Sequence, residues 1–258
     1  MKSLLVTNIK GGVAKSSTAV AVACGIKMLQ PKARVLLIDG DPQGSIKTYF
    51  GLKLADQDQD FSSFLIDNTP FEKTLMPVTV AGQGSVDVSV SSRRLSEADV
   101  RMAGFHRREE TLKNRFRKQG IEDYDYCVID SSPAMNLVLL NFMTFADYWL
   151  IPATMDAFAL SNIGYLFDQK KIMEEFYDKT PTILGILPTM FDQRTTVSRQ
   201  ALAAVKQKFG ASCEIYDPIG LDTSVKKAQV KRRLIYDFSG SRAAKDYRAA
   251  TQRIMESL

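Results

Sequence analysis

The stretch Leu4–Thr18, reading Leu-Leu-Val-Thr-Asn-Ile-Lys-Gly-Gly-Val-Ala-Lys-Ser-Ser-Thr, constrains this chain more than any other. An apolar Leu/Val run ending at Asn8 reads as a buried strand, and Ala- and Val-rich helical sequence begins at about Lys15. Between them the composition predicts a phosphate-binding loop. Backbone N–H groups must converge on phosphate oxygens with no side chain in the way, and Gly11 and Gly12 carry none. The helix start adds unpaired amides and the positive end of a dipole, so Val13, Ala14 and Ser17 are expected to line the same nucleotide. Lys15 is then placed to reach the β- and γ-phosphates, and the Ser16 hydroxyl to bind Mg²⁺.

The general pattern Gly-x-x-x-x-Gly-Lys-Ser/Thr is broken twice, at its first Gly, where Ile9 stands just before Lys10, and by Ala14 before the lysine. A decayed loop is the bland alternative, but strand–loop–helix context and the second lysine argue against it. Lys-Gly-Gly-x-x-Lys-Ser/Thr resembles the deviant Walker A loop of the ParA/MinD group of ATPases. The resemblance implies ATP and Mg²⁺ as ligands, a homodimer formed with ATP, and a Lys10 that crosses the interface to the partner's phosphates.

Two further acidic strand ends support the reading. Val35–Ile38 runs into Asp39-Gly40-Asp41-Pro42-Gln43-Gly44, which places two carboxylates where ligands bind in doubly wound sheets. An ordinary Asp-Gly turn is the simpler explanation. The same Asp-x-Asp-Pro-Gln-Gly follows the second strand in ParA-type ATPases, and by that resemblance Asp41 orients the attacking water while Asp39 supports Mg²⁺ and its waters. Tyr124–Asp130 is a strand with an acidic end, a Walker B-like signal in which Asp130 holds a Mg²⁺-bound water across from Ser16. Where the family continues with two prolines, this chain has Ser131-Ser132-Pro133.

Alternating strand and helix patterns over the remaining chain predict one α/β domain spanning 1–258, a doubly wound, mostly parallel sheet of the P-loop type. Residues 46–85 read as less regular, with short helical pieces around Phe50 and over Phe61–Leu65, Val86–Val90 as a strand, and 97–118 as one long charged helix carrying the single histidine, His106, on its surface. Thr189-Met190-Phe191-Asp192-x-Arg194-Thr195 matches the ParA subgroup more closely than the MinD subgroup. In the family the loop after the last strand cups the adenine, which makes Pro218, Ile219 and Asp222, with Met190, the candidate base contacts. The closing Tyr236–Tyr247 segment also resembles ParA-type proteins, so the likeness spans essentially the whole chain.

Composition adds exclusions. Cys24, Cys127 and Cys213 form no Cys-x-x-Cys pair, so buried thiols are expected rather than an iron–sulfur or zinc site. No apolar run approaches the roughly 20 residues of a membrane span, and the chain enters its first strand almost at once, which predicts a cytoplasmic protein without a signal peptide. The net charge of +5 is local: between Lys226 and Arg253 nine basic residues face Asp237 and Asp246 alone. A solvated face is the default reading of such a run. With the ParA resemblance, Arg199, Lys226, Lys227, Lys231, Arg232, Arg233, Arg242 and Lys245 become candidate contacts to non-specific double-stranded DNA, giving a nucleoid-associated ATPase that positions a plasmid, chromosome region or protein cargo through a ParB-like or other adaptor. The alternatives are a MinD-like membrane-associated positioning ATPase and a metabolic ATP-dependent synthetase on the same fold.

Overall fold

Eight strands form one sheet in the order β3-β4-β2-β5-β1-β6-β7-β8, in a computed structural model that describes residues 1–54, 59–121, 123–177 and 179–258. They are β1 (Lys2–Val6), β2 (Val35–Gly40), β3 (Leu75–Val80), β4 (Gly84–Ser89), β5 (Tyr126–Ser131), β6 (Tyr148–Thr154), β7 (Thr182–Thr189) and β8 (Glu214–Ile215). All neighbours pair in parallel except β3 with β4.

Parallel strands covered on both faces read as unbroken apolar runs, and the central strands follow that rule. Leu5, Leu36, Ile38, Cys127 and Ile129 belong to the core on one face, with Leu4, Val6, Val35, Leu37 and Val128 on the other. The first face is covered by α3 (Phe61–Asp67), α5 (Thr111–Gln119), α6 (Leu137–Phe145), α7 (Ala159–Phe176) and α8 (Thr196–Phe209), which contribute Phe64, Phe116, Phe142, Leu166 and Phe209. The second is covered by α1 (Lys15–Leu29), α9 (Thr223–Lys231) and α10 (Arg242–Ser257), contributing Val22, Ala228 and Tyr247. The remaining helices, α2 (Ser45–Phe50) and α4 (Ala98–Arg101), are short.

β5 and β6 flank β1 on opposite sides, so β1 is the switch point of the sheet and the crevice beyond its carboxyl end is the natural ligand site. Close packing there is demanding: a Cβ on Gly40 at the end of β2 would lie 2.2 Å from Phe142 and 2.6 Å from the Asp130 carbonyl.

One expectation is corrected. The single helix over 97–118 is broken into α4 and α5, because the chain turns at Gly104 and Arg107 adopts a left-handed backbone (φ 50°). His106 is exposed, as expected. The less regular stretch 46–85 holds α2 and α3 where short helical pieces are expected, and adds the edge strand β3, which is not; residues 55–58 lie outside the described residues. Cys24 and Cys127 are buried and Cys213 half-buried, and all three are free thiols.

Candidate nucleotide and magnesium site

The loop between β1 and α1 is shaped by left-handed backbone at Gly12 (φ 74°) and Ala14 (φ 62°, ψ 31°). Ala14 therefore occupies the position at which the general pattern has glycine, and a side chain there pays for it in backbone strain. A Cβ on Gly11 or Gly12 would meet nothing within 4 Å, so both face open space. α1 begins without a side-chain cap and with no acidic residue in its first turn, leaving its leading amides and dipole for an anion.

Above this loop lies a cavity of about 450 Å³, lined by Gly11, Gly12, Ala14, Lys15, Ser16, Ser17 and Asp41. Gln43, Ser45, Thr48, Tyr49, Pro133 and Gln229 complete it. Val13 is buried beneath the loop, and its carbonyl accepts from the Thr189 hydroxyl (3.1 Å), so it supports the cradle from below.

Lys15 is buried and its ammonium donates to the Lys10 carbonyl (3.0 Å). Burial lowers its pKa, while the carboxylates of Asp130 and Asp41 act in the opposite direction. Asp41 is fixed at the rim: its amide donates to Asp39 Oδ1 (3.2 Å), its Oδ1 accepts from the Gln43 amide (2.9 Å), and its carbonyl accepts from the Ser91 hydroxyl (2.5 Å).

Asp39 is fully buried, and its second oxygen accepts from the Ile46 amide (3.1 Å). Burial pushes its pKa up to about 7 against the pull of those amides. Like Asp130, Asp39 does not line the cavity wall; it anchors the loop that presents Asp41. Asp130 pairs in register with Asp39 on the neighbouring strand, and both its carboxylate oxygens are buried without a hydrogen-bond partner. Burial and the adjacent Asp39 raise its pKa well above the ordinary range, while Ser16 and Lys15 draw it down.

That orphaned carboxylate beside Ser16 fits a divalent cation, which would relieve the cost of burying it. Mg²⁺ takes few protein ligands and keeps waters and phosphate oxygens. Ser16 would hold the ion directly and Asp130 through water; bound there, it neutralises charge on a phosphoryl group.

Lys10 does not line its own cavity. Its ammonium donates to the Thr154 hydroxyl (3.1 Å) and is ion-paired with Asp156, both beyond the end of β6. Partial burial disfavours the Asp156 carboxylate, but Lys10 and the Thr154 hydroxyl outweigh it and hold its pKa below the usual value.

The expected adenine contacts divide. Met190, with left-handed backbone (φ 50°), and Pro218–Ile219 come together where β7 and β8 end: the Ile219 amide donates to the Pro188 carbonyl (2.8 Å) and the Phe191 amide to the Ile219 carbonyl (2.9 Å). None of them lines the cavity over the loop. Asp222 has a structural role of its own: its carboxylate accepts from the Ser224 amide (2.7 Å), the Ser241 hydroxyl (2.8 Å) and the Ala243 amide (3.1 Å). Burial opposes its charge, yet these donors hold its pKa at about 2, and it ties the starts of α9 and α10 together. An Asp one residue before a helical run is itself a capping signal.

The geometry now stands beside known proteins. An AAA domain family model matches residues 1–183. The sporulation initiation inhibitor protein Soj of Bacillus subtilis (strain 168) is 30% identical over 208 residues, covering 81% of this chain and 80% of Soj. The chain belongs to the ParA/Soj family of partition ATPases. As a ParA/Soj protein it is an ATP-binding ATPase. Its fold matches the ATP complex of McdA from Cyanothece with a TM-score of 0.86 at 23% identity, covering 99% of this chain and 96% of that one. It also matches cobyrinic acid a,c-diamide synthase of Mycobacterium smegmatis with bound ADP and magnesium, with a TM-score of 0.80 at 24% identity over 97% and 92% of the two chains. Those two likenesses speak for the fold.

Proposed function

We propose that this ParA/Soj-family ATPase is a nucleotide-gated dimer that binds double-stranded DNA without sequence preference and positions a cargo through an adaptor that stimulates hydrolysis. The observation that carries it is the orientation of Lys10. One lysine of the loop faces the phosphate site, and the other turns away from it onto Asp156, where a second subunit can reach it. Within each site Lys15 binds the phosphates, Asp41 positions water in line, and Lys10 of the partner stabilises charge on the transferring group. Hydrolysis then requires the dimer, and ATP acts as its glue.

The basic C-terminal segment supplies the output. Lys226, Lys227, Lys231 and Lys245 are exposed and have no acidic partner among the described residues. Arg233 and Arg242 are less free, each being paired with an acid, Asp237 at 3.5 Å and Asp246 at 3.8 Å. The Arg232 side chain packs against Gly51 at the end of α2, and Arg199 donates to the Gln193 carbonyl (2.9 Å). The lysines are therefore the principal phosphate contacts. A lipid surface is a poorer fit, since Tyr247, Ala250 and Ile254 of α10 are buried in the core shared with α1.

Fluorescence anisotropy with random-sequence duplex DNA tests the proposal. ATP-dependent binding that falls with salt at a log–log slope of about −4 or steeper supports it; equal binding with ATP, with ADP and without nucleotide contradicts it.

A further inference from the structure

Gln229 lies on α9, between lysines assigned above to DNA, yet its side chain reaches the phosphate loop. Its Nε2 donates to the Ser17 hydroxyl (3.0 Å) across 212 positions of sequence, and both residues line the nucleotide cavity. Ser17 is buried in the first turn of α1, and among the described residues its hydroxyl oxygen accepts from Gln229 while its proton has no protein acceptor. A hydroxyl that accepts at its oxygen must direct its proton elsewhere, and Ser17 borders a cavity built for phosphate oxygens.

We propose that Gln229 is the side chain through which nucleotide occupancy is transmitted to α9. In the occupied site a phosphate oxygen accepts from Ser17 Oγ, and Ser17 Oγ accepts from Gln229 Nε2. Such a chain is cooperative, because a hydroxyl that donates to an anion becomes a better acceptor. Nucleotide therefore tightens the Gln229 bond and draws the C-terminal half of α9 against α1. Elsewhere α9 is held from both ends: Asp222 joins its start to α10, and Arg232, at its carboxyl cap, packs against Gly51 of α2. Gln229 is thus a link between the loop and the helix that carries Lys226, Lys227 and Lys231, and a positioning residue rather than a catalytic one.

The inference rests on reading the cavity as the nucleotide site and deepens the proposed function by naming its switch. The test reads α9 itself, without DNA. Amide hydrogen exchange of residues 223–231 is followed in wild type, Gln229→Ala, Ser17→Ala and the double variant. Each protein is measured without nucleotide and at Mg²⁺–ATP concentrations that saturate it in its own titration. In wild type, nucleotide slows exchange in the second half of α9 by about 3–10-fold, the effect of strengthening the one hydrogen bond that Gln229 already makes. Either single change abolishes that response, and the double change removes nothing more. A wild-type α9 that does not respond, or a Gln229→Ala protein that responds as wild type does, overturns the proposal. So does a Gln229→Ala protein that cannot be saturated, which would make Gln229 a binding residue alone. Failure of wild type to bind DNA would sink the proposed function while leaving this exchange readout standing.

Discussion

Lys10 and Asp156 form an ion pair between the phosphate loop and the end of β6, and Thr154 secures it by donating to the same Asp156 oxygen (2.6 Å). About a third of each side chain is exposed, at 32% and 34%. In the proposed dimer Lys10 must leave Asp156 before it can serve the neighbouring subunit. Removing the acid should ease dimer formation. With each partly exposed pair worth roughly 0.2–1 kcal/mol, and two broken per dimer, Asp156→Ala is expected to lower the ATP-bound dimer's dissociation constant by about 2–30-fold. Analytical ultracentrifugation with ATP measures it, and weaker dimers in the variant would show that Asp156 instead supports the interface.

Ala14 carries a methyl group at a φ of 62°. The left-handed region costs an L-residue about 1–2 kcal/mol, part of which glycine forfeits through its freer unfolded chain. Ala14→Gly should therefore stabilise the protein by roughly 0.5–1 kcal/mol, whereas Ala14→Val, branched at Cβ, should destabilise it and loosen ATP binding at least tenfold. Urea unfolding and nucleotide titration give both numbers. An Ala14→Gly protein of lower stability would refute the strain argument.

Buried Asp130 stores a cost that a cation relieves. Its pKa and that of Asp39, about 7, are raised in the folded protein, so between the unfolded value of roughly 3.9 and the folded values the native state binds more protons. Stability of the nucleotide-free protein consequently falls as pH rises through that window. Asp130→Asn should raise the melting temperature at pH 8 by several degrees, through about 1–3 kcal/mol, and by less at pH 5. It should also weaken the further stabilisation conferred by Mg²⁺–ATP. Calorimetry at the two pH values decides the matter; a variant less stable at pH 8 would place a hidden partner on Asp130.

The sequence made the phosphate loop and the acidic ends of β2 and β5 legible because each depends on neighbouring residues. A strand buried on both faces announces itself as Leu36–Leu37–Ile38 or Cys127–Val128–Ile129, and Gly11 and Gly12 mark where the loop backbone is left bare beside the cavity. What escaped was non-local or atypical. β3 is a partly exposed edge strand containing Pro77 and lacks the apolar signature of its neighbours. The contacts Lys10–Asp156 and Ser17–Gln229 join residues brought together by the sheet alone. Asp222 lay in a loop where the family binds adenine, and its capping role emerged once α9 and α10 were seen to start side by side.

The central claim is that each hydrolytic site is completed by Lys10 of the other subunit. Mixing Lys10→Ala subunits with Asp41→Ala subunits tests it most directly. Each variant alone should be nearly inactive. A mixed dimer contains one site with its own Lys15 and Asp41 and an intact Lys10 from across the interface, so random pairing should restore roughly a quarter of wild-type ATPase activity. If Lys10 serves its own site, every site in the mixture lacks either the lysine or the aspartate, and activity would stay at the level of the separate variants.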